Sequence, residues 1–162
     1  IIHDNDHGVN VAGKSDLRLE RNIITKNLFE AVVIGDGTKA VLLSNTLVKN
    51  GGGAAFLGSS RNDVSGNVVA LNTVGFVIAP SSQTALSYNG LFNKDGNYLK
   101  AGPPPTQAPE LKPDSDIASD PRFVDAEHDD FRLRHDTTFV DIGPFSFLGA
   151  KPPLSVPPAR RQ

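Results

Sequence analysis

The feature that most constrains this chain is a repeat. Asn22-Ile23-Ile24-Thr25-Lys26-Asn27 recurs as Asn45-Thr46-Leu47-Val48-Lys49-Asn50, as Asn67-Val68-Val69-Ala70-Leu71-Asn72 and, weakened, as Asn89-Gly90-Leu91-Phe92-Asn93-Lys94, in steps of 22 or 23 residues. A fixed period of this size marks units that cannot bury an apolar face alone and must stack. Leu19, Leu42, Val64 and Leu86 each stand three residues before the first Asn, and Ile24, Leu47, Val69 and Leu91 two after it. Both columns are wholly aliphatic, so each is expected to point inward.

A further pair of columns, Val9/Val32/Ala55/Phe76 and Val11/Ile34/Leu57/Ile78, alternates in the segment that follows. Three short alternating runs per unit, separated by turns rich in Gly, Asn, Asp and Ser, read as strands. Each strand pairs with its equivalent in the next coil about 4.8 Å away, giving three parallel sheets around one core. Helical repeats are disfavoured, because the runs are short, β-branched and broken by Gly35-Asp36-Gly37 and Gly51-Gly52-Gly53. This register puts Asn10, Val33, Phe56 and Val77 outside; three of the four are apolar, so the 101–149 segment or a partner chain is expected to cover them, unless Phe123, Phe131, Leu133 and Phe139 instead form a closing coil over Leu91. Stepped back by 23, Ile1 falls on Ile24, His3 on Lys26 and Asp4 on Asn27, so the chain begins inside a coil. It contains no methionine, initiator included, so a preceding part is expected to be missing. A strand edge opened there is expected to self-associate.

The organisation that follows is coils over 1–100 and a Pro-rich crossing segment over 101–115, which holds Gly102-Pro103-Pro104-Pro105. Closing strands over 116–149 and a Pro-rich basic tail over 150–162 complete it. Pro can neither continue a helix nor sit inside a sheet, which is why the coils must end there.

The Asn-aliphatic-aliphatic-x-x-Asn coils resemble the right-handed parallel β-helix superfamily that includes pectate-lyase-like polysaccharide lyases and several glycoside hydrolases. Asp120-Pro121-Arg122-Phe123-Val124-Asp125, Asp130-Phe131-Arg132-Leu133 and Asp141-Ile142-Gly143 are similar to the closing segment of many bacterial members. Tyr88-Asn89-Gly90-Leu91-Phe92 resembles the strand that precedes it. Thr137-Thr138-Phe139 departs from the Ser-Pro-Ala common there. The resemblance implies an all-β solenoid with a C-terminal cap, a secreted or cell-surface location and a polysaccharide partner, bound or processed by a lyase or hydrolase. Calcium is the cofactor it brings in; the residues themselves indicate none. The motifs specify architecture and not chemistry, and the alternative reading is a non-catalytic extracellular structural or adhesive module.

Candidate chemistry is sparse. His3-Asp4-Asn5-Asp6-His7 is the densest titratable cluster, with two His and two Asp able in principle to bind a metal or exchange protons. Asp4 and Asp6 are its candidate metal ligands. His3, Lys26 and Lys49 fall in one column and His7 lies beside Glu30, so His3, Asp6, His7, Lys26, Glu30 and Lys49 are the candidate catalytic set; a solvated turn accounts for the same residues. Asp16, Lys39, Arg61 and Gln83 form a second column, in which an Asp16 to Lys39 ion pair is the simplest account. Lys39, Arg61 and Phe56 are the candidate ligand surface. Asp36 reads as a turn residue, and the repeated Asn as turn residues whose amides bond from coil to coil.

Sixteen basic against eighteen acidic side chains give a net charge of -2 without long like-charged runs, so no nucleic-acid partner is nominated. The lack of cysteine excludes thiol nucleophiles and disulfides, and no apolar run is long enough to span a membrane.

Overall fold

The computed structural model describes residues 1–153; residues 154–162, the greater part of the expected tail, lie outside the described residues. Four coils stack as a solenoid of three sheets. Sheet A contains Ile2–His3, Ile23–Thr25, Thr46–Val48, Val68–Ala70, Gly90–Phe92 and Ile117–Ala118. Sheet B contains Val9–Val11, Glu30–Ile34, Gly52–Phe56, Val74–Ile78 and Tyr98–Lys100, with Thr106–Gln107 added antiparallel. Sheet C contains Asp16–Glu20, Lys39–Leu43, Arg61–Ser65 and Gln83–Ser87.

The two aliphatic columns form the core as expected. Ile24, Leu47, Val69 and Leu91 are fully buried, as are Leu42 and Val64, and Leu19 and Leu86 pack on the same core at its ends. Against an exposed reference, each such side chain contributes about 1.5–3 kcal/mol.

Sheet B corrects the register. Val32 pairs with Ala54 and Ile34 with Phe56, so the inward columns are Val9/Val32/Ala54/Phe76 and Val11/Ile34/Phe56/Ile78. Phe56 is 0% exposed and joins Phe76 and Tyr98 in an internal aromatic stack, with centroids 5.8 and 6.1 Å apart. It is a core residue and no part of a ligand surface. The cause is one extra residue in the second coil, at Leu28-Phe29, where the next two coils turn on a single residue, Gly51 and Thr73. Residues before it step by 23 to the next coil and residues after it by 22. The first coil obeys the same rule: Ile2 pairs with Ile24 and His3 with Thr25, so Asp4 and not His3 shares the column of Lys26 and Lys49. The outer stripe of sheet B is therefore Val33, Ala55, Val77 and Leu99, of which Ala55, Val77 and Leu99 bury one another with Leu57, Val74 and Ala101.

Two Asn ladders hold the turns. Along one, the backbone N–H and side-chain amide of Asn22, Asn45 and Asn67 each donate to the side-chain oxygen of the next rung, ending at Asn89 and Asp116. The other runs Asn5, Asn27, Asn50, Asn72, Asn93, Asn97. The left-handed residue of each turn is the one before the Asn: Arg21, Ser44 and Tyr88 in one series, Asp4, Lys26, Lys49 and Leu71 in the other, with φ between 53° and 58°. That conformation costs a non-glycine residue about 1–2 kcal/mol, which the ladder offsets.

The segment after Ala118 covers neither the sheet B stripe nor only the end of the coil. It runs back along the outer face of sheet A as two antiparallel hairpins, Phe123–Asp125 with Asp130–Leu133 and Val140–Ile142 with Phe145–Phe147. Phe131 packs on Ile23 and Val48, and Leu133, Phe139 and Leu148 pack on Val68 and Ala70. Gly90 has no side chain because a Cβ there would lie 2.5 Å from the Phe139 ring.

Candidate functional site

The expected cluster at the N-terminal turn does not converge. His3 is hydrogen-bonded to Asp4 at 2.5 Å, Asp6 is exposed, and His7 Nδ1 lies 3.2 Å from Glu30 Oε2 while its ring stacks on Phe29 at 5.2 Å. Among the described residues no three of His, Asp or Glu gather to hold a metal ion. Asp36 acts in its turn, accepting from Ser59 N at 2.7 Å and Ser59 Oγ at 2.5 Å, bonds that hold its carboxyl below the usual range.

Lys26 and Lys49 are taken by the docked segment. Lys26 pairs with Asp129, and Lys49 approaches Asp129 at 3.7 Å and donates to the Ala126 carbonyl. The Lys26 hydrogen bond, helped by both charges, holds the Asp129 carboxyl below its ordinary value. Together these contacts form a clasp between the solenoid and the C-terminal segment. Asp16, Lys39, Arg61 and Gln83 do form the expected column, on the outer face of sheet C. They line an open groove of about 580 Å³ with Arg18 and Asp63.

The structure brings together a set that sequence reasoning passed over. The column occupied by Asp4, Lys26 and Lys49 continues with Leu71, which is 40% exposed although its backbone is left-handed. Its backbone conformation is the one shared by Asp4, Lys26 and Lys49 in the same turns, so what sets this position apart is the exposed apolar side chain. Beside it Phe92 is 43% exposed, and its carbonyl accepts from Leu71 N at 2.8 Å. The pair forms an apolar ridge between two clefts.

On one side, about 590 Å³ is bounded by Asp120, Arg122, Arg134 and Asp136 of the docked segment. Arg122 is fixed there by bonds to Asp136 Oδ2 at 2.7 Å and from its own N–H to Asp120 Oδ1 at 2.8 Å, and Arg134 lies 3.7 Å from Asp136. On the other side, about 670 Å³ is bounded by Lys49, Thr73, Asn93 and Lys94. An apolar platform with converging, pre-positioned hydrogen-bonding groups is the general form of a ligand site. The sequence signal was present, since Leu71 interrupts a polar column.

Comparison with known proteins supplies the family frame. Residues 1–102 match the family model described as a right handed beta helix region. No curated protein and no solved structure matches significantly.

Proposed function

Because the chain belongs to the right-handed β-helix family, we propose that it is a carbohydrate-directed module of a secreted or surface protein, binding polysaccharide along the Leu71 and Phe92 ridge. The observation that carries this reading is the exposed Phe92 ring at the junction of two polar clefts. The C–H face of a pyranose is apolar and stacks on such a ring, while its hydroxyls radiate to the rim. Arg122, Arg134 and Asp120 stand on one rim and Thr73 and Lys94 on the other, so a glycan crossing the ridge meets donors and acceptors on both sides.

Binding, without a bond-breaking step, is what these residues support. The carboxylates nearest the ridge are engaged with Arg122 and Arg134, and the proposed catalytic set His3, Asp6, His7, Lys26, Glu30 and Lys49 is dispersed or used in docking. The groove holding Lys39 and Arg61 is the competing surface, and it lacks an exposed aromatic platform.

Native electrophoresis through gels containing neutral or acidic polysaccharides tests the proposal. Retardation by at least one glycan, lost in Phe92→Ala and retained in Lys39→Ala, is expected. Migration unaffected by every glycan, or retardation unchanged by Phe92→Ala, overturns it. Reducing ends or unsaturated-uronate absorbance appearing in the same incubations would replace binding by catalysis.

A further inference from the structure

The C-terminal end of the solenoid is closed unevenly. Sheet A is extended by Ile117–Ala118 and sheet B by Thr106–Gln107, but among the described residues sheet C stops at Gln83–Ser87, which pairs there with Arg61–Ser65 alone. Gln83 N bonds to Ser60 O at 2.8 Å and Ser87 O accepts from Gly66 N, so Gln83, Ala85 and Ser87 face the preceding coil. The alternation of a parallel ladder then turns the N–H and C=O groups of Thr84 and Leu86 to the open side. The crossing segment passes this edge without pairing to it; its bonds to the coil below begin further on, at Tyr88 N to Ser115 Oγ and Asn89 N to Asp116 Oδ1. Among the described residues no hydrogen bond from that segment reaches the backbone of Gln83–Ser87.

Between edge and crossing segment lies a cleft of about 410 Å³ with Ile78, Leu86, Leu111 and Pro113 on its apolar side. Leu86 is only partly buried there, whereas Leu42 and Val64 of the same column are fully covered. The rim carries two lysines and one glutamate: Lys100 is paired with Glu110 at 2.5 Å, while Lys112 is exposed and, among the described residues, bonds to the Pro113 carbonyl at 3.2 Å with no salt bridge.

From these features we infer that Gln83–Ser87 is a docking edge for an extended acidic-aliphatic segment of a partner protein, added as a further strand of sheet C. Its backbone takes the free groups of Thr84 and Leu86, an aliphatic side chain fills the place above Leu86, and a carboxylate meets Lys112. Main-chain bonding supplies affinity and the alternate side chains supply selectivity, the usual division in strand addition.

Amide exchange on the intact chain, with and without capped hexapeptides, tests this. In the free protein the Thr84 and Leu86 amides are expected to exchange freely, and a peptide alternating valine and aspartate to slow them by about tenfold. A valine and lysine peptide and a backbone N-methylated valine and aspartate peptide should not, and Lys112→Glu should reverse the preference between charged peptides. Thr84 and Leu86 amides already protected in the free chain at all concentrations would show the edge covered and overturn the inference. So would protection by the N-methylated peptide, or by none. Protection that grows with protein concentration alone would assign the edge to a second copy instead of a partner.

Discussion

Removing one rung from the middle of the first Asn ladder isolates what the ladder contributes. Asn67 is fully buried; its side-chain oxygen accepts from Asn45 N at 2.8 Å and Asn45 Nδ2 at 3.0 Å, and its Nδ2 donates to Leu42 O, Ser65 O and Asn89 Oδ1. In Asn67→Ala the Asn45 backbone N–H loses its only partner in a place water does not reach. That orphan costs about 1–3 kcal/mol, and each lost amide bond about 0.5–1.5 kcal/mol, so the variant should lose roughly 3–5 kcal/mol. Asn22 is the internal control. Its side chain donates to Glu20 O and Asn45 Oδ1, and its removal leaves Asn45 Oδ1 still accepting from Asn22 N, so Asn22→Ala should cost about 1 kcal/mol or less. Urea unfolding followed by far-ultraviolet circular dichroism compares the two. Equal losses in both variants would refute the claim that backbone satisfaction, and not turn propensity, is why Asn recurs.

Three further outcomes follow from the packing. Asp116 ends that ladder buried, accepting from Asn89 and from Tyr98 Oη at 2.9 Å; burial first, against those bonds, raises its carboxyl pKa. A folded value above the unfolded one means this contribution to stability is fully present below the ordinary 3.8 and is lost as pH rises through the folded value. The difference in urea midpoint between wild type and Asp116→Asn should therefore move in favour of the variant as pH rises through that window, and a constant difference would contradict it. Gly90→Ala should push the Phe139 ring off sheet A at a cost of about 1–3 kcal/mol, seen as new proteolytic cuts within 119–149; an unchanged digest would remove the argument for docking. Leu71→Gly relieves a left-handed leucine and should leave stability unchanged or raise it by up to about 1 kcal/mol while abolishing glycan retardation, and a less stable protein with intact binding would reverse both claims.

How much of this was legible in the sequence depends on whether a position keeps its phase. The Leu19/Leu42/Val64/Leu86 and Ile24/Leu47/Val69/Leu91 columns are counted from a nearby Asn and were read correctly. Phe56 was not, because the extra residue at Leu28-Phe29 shifts phase inside a turn, and a slip of one exchanges inside for outside. The docking face is written in the strands of sheet A. Ile23-Ile24-Thr25, Thr46-Leu47-Val48 and Val68-Val69-Ala70 are apolar or compact at every position, the pattern of strands covered on both faces, and all nine residues are buried. Of the Leu71 and Phe92 ridge the sequence shows only Leu71 interrupting a polar column; which turns the C-terminal hairpins leave uncovered is set by how they dock.

The central claim is that the ridge between solenoid and docked segment is where glycan binds. Nitrogen-15 chemical-shift mapping with an oligosaccharide taken from a retarding polysaccharide tests it residue by residue. Shifts concentrated at Leu71, Thr73, Phe92, Lys94, Arg122 and Arg134, with Lys39 and Arg61 unmoved, are the predicted result. Shifts on the Lys39 and Arg61 face, or none at Phe92 under saturating oligosaccharide, would contradict the account.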